Sequence, residues 1–189
     1  KGPEHEGFNR DELAVAAEIS GSEGQLDPRE SQILKNLLLL NKTRVKDAMT
    51  PRPVVFALPA DSTVGDFFTA HSDERFSLIP VHGNKRDEVT GFVLRSDLLL
   101  AQARGQGATP VERYRRDLPV IPAVSSLLKA FEELLHHRVH IFLVVDEFGG
   151  MDGILTMEDV LETLLGLEIV DEGDKAVDMQ ALARRLWPV

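Results

Sequence analysis

Few residues in this chain have types and spacing that could do chemistry. Thr156 and Asp159 place a hydroxyl and a carboxylate three residues apart, ahead of apolar residues with helical spacing, Val160, Leu161, Leu164 and Leu165. One reading is a capping box. Thr156 would accept a backbone N–H at the helix start, Asp159 would reach back, and the pair would stabilise the first turn by ~1 kcal/mol. The other reading is a nucleoside site, in which the carboxylate offers two acceptors to the ribose hydroxyls and the threonine adds a third contact. The helix N-terminus would favour a phosphate nearby. The two readings are compatible, and the pattern leaves both open.

Other candidates are weaker. His136, His137 and His140 raise the question of a metal, since imidazoles at i and i+4 on a helix can share an ion. A helix end followed by strand entry would turn His140 away from His136, and no spaced carboxylate completes a set, so no metal ligands are assigned. Glu168, Asp171, Glu172 and Asp174 invite a hard cation such as magnesium, but they lack the alternating spacing of a calcium loop and read as a solvated acidic run. The chain has no cysteine, hence no disulfide framework and no thiolate metal site. Neither a nucleophile elbow nor a glycine-rich phosphate loop occurs, so the chain does not read as an enzyme. The formal charge of −10, without clustered Lys and Arg, argues against a nucleic-acid partner.

Thr156 and Asp159 must be positioned by the stretch from His140 to Gly166. Ile141 to Val145 is an apolar, β-branched run that predicts a strand, and Gly149-Gly150 supplies positive-φ positions for a hairpin. Gly153 to Leu155 predicts the returning strand, and a helix follows from Glu158 to Leu165. The same order occurs earlier in the chain. An offset of about 63 residues sets Pro59 on Pro122, Val64 on Leu127, Phe68 on Phe131, Arg75 on Arg138 and Val81 on Val144; after a one-residue gap, Gly91 falls on Gly153, Phe92 on Ile154, Val93 on Leu155 and Asp97 on Asp159.

Each unit thus predicts strand, helix, strand, turn, strand, helix. The first has strands at Val54 to Leu58, Leu78 to Val81 and Val89 to Leu94, with helices at Val64 to Ala70 and Asp97 to Ala103. The second has strands at Leu118 to Ile121, Ile141 to Val145 and Gly153 to Leu155, with helices at Ser125 to His136 and Glu158 to Leu165. Units of this size sit near the small end for independent folding, so the two should pack on one another and leave related clefts, one bordered by Asp97 and one by Asp159.

Ahead of the repeat, residues 1–10 read as a linker, and Asn9 or Asp11 is placed to cap a helix that Gly21 and Gly24 end. Asp27-Pro28-Arg29-Glu30 starts a second helix, whose Leu37 to Leu40 predict packing on more than one side. The composition, 43% hydrophobic over 189 residues, suffices for one good core or two small ones. No run approaches the roughly 18 apolar residues of a membrane span, and the start lacks a signal-peptide pattern. The expected division is 1–44 linker and helices, 45–108 first unit, 109–170 second unit, and 171–189 acidic tail and short helix.

The repeated unit with its terminal Gly-h-h-Thr/Ser-x-x-Asp resembles the CBS domain, and the tandem resembles a CBS pair, or Bateman module. The segments VKDAMTPR, HIFLVVDEFGGMDGILTMEDVLETLLG and EIVDEGD resemble those of the CorC/CNNM proteins, implicated in magnesium and cobalt efflux. The resemblance extends from about Leu26 to Asp174. It implies an α/β (α+β) fold of tandem CBS domains, each a small three-stranded sheet covered by two helices and preceded by an N-terminal helical segment.

The resemblance also implies a regulatory role. In that family the module lies at the cytoplasmic face of an inner or plasma membrane, below a transmembrane domain that carries the ion. It binds an adenine nucleotide, AMP or ATP, with Mg2+ accompanying the phosphates, and pairs into a flat homodimeric disc. Many relatives continue into a small C-terminal domain, which this chain is expected to lack. By the same resemblance Thr156 and Asp159 contact ribose, Thr50 lies next to the adenine, Phe76 stacks on the base, and Ile79, Pro80, Gly153 and Ile154 complete the nucleotide site. Leu78 replaces an arginine that would meet phosphate, with Arg75 or Arg52 as substitutes, and Leu94 replaces the hydroxyl beside Asp97, leaving a weaker second site. The alternative is a dimerisation or interaction scaffold that no longer binds nucleotide.

Overall fold

The structure, a computed structural model, describes residues 7–166. Helix α1 (Arg10–Ser22) is capped by Asn9 and helix α2 (Pro28–Leu39) by Asp27, each with its third residue, Glu12 or Glu30, bonding back to the cap N–H. The two helices lie antiparallel, joined by Ser31 Oγ donating to the Ala17 carbonyl at 2.6 Å and by the Lys35–Glu18 pair at 2.9 Å. Gly21 does not end α1, which continues to Ser22; Gly24, at φ +75°, makes the turn. The acidic run at 168–174 and the tail to 189 lie outside the described residues.

After the short helix α3 (Val45–Ala48) come strand β1 (Thr50–Pro51) and strand β2 (Leu58–Pro59), helix α4 (Val64–Ala70), strands β3 (Leu78–His82) and β4 (Val89–Leu94), and helix α5 (Arg95–Ala103). The second unit follows the same order: β5 (Val120–Pro122), α6 (Leu127–His137), β6 (Ile141–Val145), β7 (Met151–Thr156) and α7 (Met157–Leu165). β2 runs parallel to β3 and β3 antiparallel to β4; β5 runs parallel to β6 and β6 antiparallel to β7. The repeat is therefore structural. Only the stretch 54–58 departs from its expected strand. Arg52–Val54 forms a 3-10 turn, because Pro51 and Pro53 leave the segment short of ladder donors, and pairing begins at Leu58.

The sheets are not equal. The first is three-stranded, β2-β3-β4, whereas the second has four strands in the order β1-β7-β6-β5. β1 precedes the first unit in sequence yet pairs antiparallel with β7 of the second, Thr50 opposite Ile154 and Pro51 opposite Gly153. A reciprocal contact ties the segment before the second unit to the first, as Arg116 and Phe92 exchange backbone hydrogen bonds of 2.8 and 3.0 Å. Both crossings require a glycine. A Cβ on Gly153 would overlap the Thr50 carbonyl, and one on Gly91 the Arg116 carbonyl.

The cores follow the crossings. Leu40, Val45 and Met49 are buried with Leu127, Leu134, Val144 and Leu155 in the second unit, and Val111 is buried with Val64, Phe67, Ile79 and Val93 in the first. A third cluster, Val55, Ile141, Met151 and Ile154 with Leu78, Phe92 and Leu143 against it, joins the two sheets. Burying such side chains stabilises by ~1.5 to 3 kcal/mol each, so the units are held together by apolar contact as well as by exchanged strands.

Candidate functional site

Strand alternation sets which residues meet at the seam. Ile154 lies in the inter-sheet cluster, Thr50 is directly across from it, and Thr156 is two residues on, so all three share the face turned toward the first unit. Leu78 lies against the same cluster from the opposite side, and Pro80, two residues along β3, shares its face. Ile79 points the other way and is fully buried in the first unit's own core, so its side chain is not presented to the seam. Gly153 serves the seam by its missing side chain, which admits β1.

Thr156 caps α7, and the capping box forms. Asp159 Oδ2 accepts from the Thr156 N–H at 2.6 Å and from its hydroxyl at 2.8 Å, while the Asp159 N–H donates to Thr156 Oγ1 at 3.3 Å. One carboxyl oxygen is thus occupied twice. Oδ1 has no hydrogen-bond partner among the described residues, and no polar side-chain atom described is both buried and unpaired, so Oδ1 keeps access to solvent. The local cap and a vacant acceptor coexist on one residue.

Burial pushes the Asp159 carboxyl up to about 7, with the charges of Glu162 and Glu158 adding to the rise and the Thr156 donors opposing it. A carboxyl at a helix N-terminus that nonetheless holds a proton near neutrality has an environment that resists a second negative charge.

The first unit offers aromatic and basic groups. Phe76 stacks on Phe56 with ring centroids 6.0 Å apart, which occupies one face of its ring. Arg95 Nε donates to the Glu74 carbonyl at 3.1 Å and its N–H to the Ser77 carbonyl at 3.0 Å, fastening the loop that carries Arg75 and Phe76. Arg75 is exposed and makes no ion pair among the described residues, whereas Arg52 donates to Asp87 at 3.1 Å. Leu78 fills apolar space where the family resemblance expects an arginine.

The pseudo-symmetric position differs. Asp97, at the start of α5, accepts from Arg116 Nη2 at 2.8 Å, and Leu94 makes no side-chain cap. Neither Arg95 nor Arg116 stood out from sequence. The offset that aligns the two units sets Thr50 on Arg113, so nothing in the spacing pointed to Arg116.

Among the described residues no group of three His, Asp or Glu is arranged to hold a metal. His136 and His137 lie edge to face with centroids 4.9 Å apart, and His137 contacts Glu133 at 3.0 Å. At the hairpin beyond β6, Asp146 Oδ1 accepts from Phe148 and Gly150 N–H groups; Gly149 takes φ +80°, but Gly150 does not have the positive φ its sequence suggested. Among the described residues no helix is long and apolar enough to cross a membrane.

Comparison with known proteins places these features in a family. Residues 111–166 match the family model described as CBS domain. The chain is 34% identical to the UPF0053 protein sll1254 of Synechocystis sp. over 94% of its own length and 51% of that protein's. It is 30% identical to the magnesium and cobalt efflux protein CorC of Escherichia coli over 96% of its own length and 62% of that protein's. The chain therefore spans about half to three fifths of the length of these relatives. Among solved structures, the CBS domain of a bacterial CNNM/CorC family Mg2+ transporter in complex with ATP superposes with a TM-score of 0.69 at 30% identity, covering 74% of this chain and 99% of that one.

Proposed function

Since this chain belongs to the CBS domains of the CNNM/CorC family, we propose that it is a regulatory module that binds an adenine nucleotide in the seam between its two units. The observation that carries this reading is Asp159 Oδ1, an acceptor without a partner among the described residues, at a helix N-terminus on the seam side of the fold. A ribose supplies the two donors that such a carboxylate lacks. Thr156 and Thr50 border the sugar and the base, Pro80, Gly153 and Ile154 contribute strand surface, Ile79 contributes main chain, and Phe76 offers its remaining ring face. The solved relative that holds ATP supports the ligand class.

The phosphates lie toward the first unit, where Arg75 has no competing carboxylate among the described residues. Magnesium, where it takes part, arrives on the phosphates, because the described residues offer it no ligand set. The parent protein is a membrane transporter of the CorC kind, and the module lies on its cytoplasmic face. Nucleotide shifts the population between two arrangements of the units, by no more than its difference in affinity for them. The route outward is short, since Asn36 of α2 donates to the Leu164 carbonyl at the far end of α7 at 3.0 Å. Helix α2 precedes both units and is suited to transmit the shift toward a transmembrane domain.

Titration calorimetry with AMP, ADP and ATP, with and without magnesium, tests the reading. Wild type is expected to bind, and Asp159→Ala to give no heat; an unchanged isotherm in the variant would refute it. A second reading, an interaction scaffold without nucleotide, draws on the exposed Leu99 and Leu100 of α5 and Leu135 of α6. Self-association into a homodimer, measured by light scattering, combined with silent calorimetry would favour the scaffold.

A further inference from the structure

Helix α1 has two apolar faces, and the described fold covers one of them. Ala14 and Ala17 are buried toward α2, where Ser31 Oγ donates to the Ala17 carbonyl. Val15 and Ile19, one turn apart, point away from that contact and are 56% and 50% exposed. Glu12 stands one turn before this pair and Glu23 one turn after, so the exposed ridge has an acidic residue at each end. Glu23 makes no ion pair among the described residues, whereas Asp11 and Glu18 of the same helix are taken by Lys42 and Lys35.

The chain carries a segment of matching chemistry. Helix α7 ends at Gly166, in a left-handed turn that lies against Gln32 and Asn36 of α2. Residues 167–189 continue from there, outside the described residues. Within them Met179, Leu182 and Leu186 recur at helical spacing with Trp187 beside them, and Arg184 and Arg185 border that stripe, one on each side. The eleven residues from 167 to 177 span up to roughly 35 Å when extended, against roughly 10 Å for the width of α2 and roughly 20 Å for the length of α1. We propose that residues 178–187 dock as a helix on the Val15–Ile19 ridge of α1, with their arginines paired to Glu23. The exposed Leu100 of α5 is a poorer seat for this segment, because Arg104 stands one turn beyond it and repels a basic partner. The nucleotide seam plays no part in this contact.

Trp187 is the only tryptophan of the chain, so its fluorescence reports on the segment directly. In the full chain its emission is expected at shorter wavelength than in an isolated peptide of residues 178–189, and independent of protein concentration. Val15→Lys and Ile19→Lys, both at exposed positions, should each lower the ratio of docked to free segment about five- to tenfold and move the emission toward that of the peptide. Glu23→Arg should lower the ratio up to about fivefold, and Arg184→Glu/Arg185→Glu added to it should restore it. A wild-type emission equal to that of the peptide overturns the proposal. So does a shifted emission that both lysine variants leave in place, since the tryptophan would then lie against another surface. A shift that appears only as concentration rises would mean that a second copy covers the ridge, and it too overturns the proposal. If a lysine variant fails to fold, judged by far-UV circular dichroism, Leu182→Lys and Leu186→Lys are read instead. Amide exchange in α1 should quicken in both, and unchanged exchange overturns the proposal.

Discussion

Replacing Asp159 by asparagine should stabilise the fold at alkaline pH while removing nucleotide binding. The carboxyl has an ordinary value of 3.8 and is raised to about 7 by burial in the folded chain. Between those limits the folded state holds a proton that the unfolded state has released. The contribution of this group is therefore fully present below about pH 4 and is lost as pH rises through about 7. About three pKa units at 1.36 kcal/mol each set an upper bound of about 4 kcal/mol, and the solvent access left to the carboxyl reduces it to roughly 2 to 3 kcal/mol. The asparagine amide would keep an oxygen for the Thr156 N–H and carry no charge. Urea unfolding of both proteins at pH 5 and pH 8 isolates the effect, because every other titrating group is shared. The difference in stability, variant minus wild type, should grow by roughly 1 kcal/mol between the two pH values, because the rest of the contribution is already lost between about pH 4 and pH 5. A difference independent of pH, or one that moves the other way, would refute the argument. In wild type the same carboxyl must ionise to receive two ribose donors, so affinity should rise with pH through about 7 and binding should release a proton. Calorimetry in buffers of different ionisation enthalpy reads that proton directly.

Other substitutions probe the crossings and the outward route. Gly153→Ala should destabilise by about 2 to 4 kcal/mol in urea, since the added methyl collides with the Thr50 carbonyl and lies 3.1 Å from Met49 Sδ, and β1 must leave its partner. Gly91→Ala should act likewise through Arg116, and a loss below about 0.5 kcal/mol in both would contradict the pairing. Arg75→Ala should leave the melting temperature unchanged while weakening ATP about fivefold more than AMP, read by calorimetry. Asn36→Leu should cost about 1 kcal/mol of stability by leaving the Leu164 carbonyl without its donor, and hydrogen exchange should quicken in the last turn of α7.

The sequence made the local layer legible because its signals are local. The order of elements in each unit, the caps at Asn9 and Asp27, and the helix after Thr156 all follow from spacing that short-range sterics and hydrogen bonding obey. The repeat was visible for the same reason, since each unit must bury the same alternating faces. The stretch 54–58 shows the limit of periodicity. Val55 and Phe56 do alternate between the inter-sheet cluster and the first core, but the prolines at 51 and 53 remove donors a ladder needs.

What sequence alone determined is that this chain consists of two copies of one small sheet-and-helix unit, each with a carboxylate at its last helix. Tertiary structure alone decided that Thr50 joins the second sheet and Arg116 the edge of the first, because a strand two residues long takes its partner from the surface it meets and not from its own propensity. That exchange makes the two carboxylates unequal. Asp159 bonds to its own cap threonine and Asp97 to an arginine from another segment, a distinction that spacing along the chain does not carry and that only proximity creates.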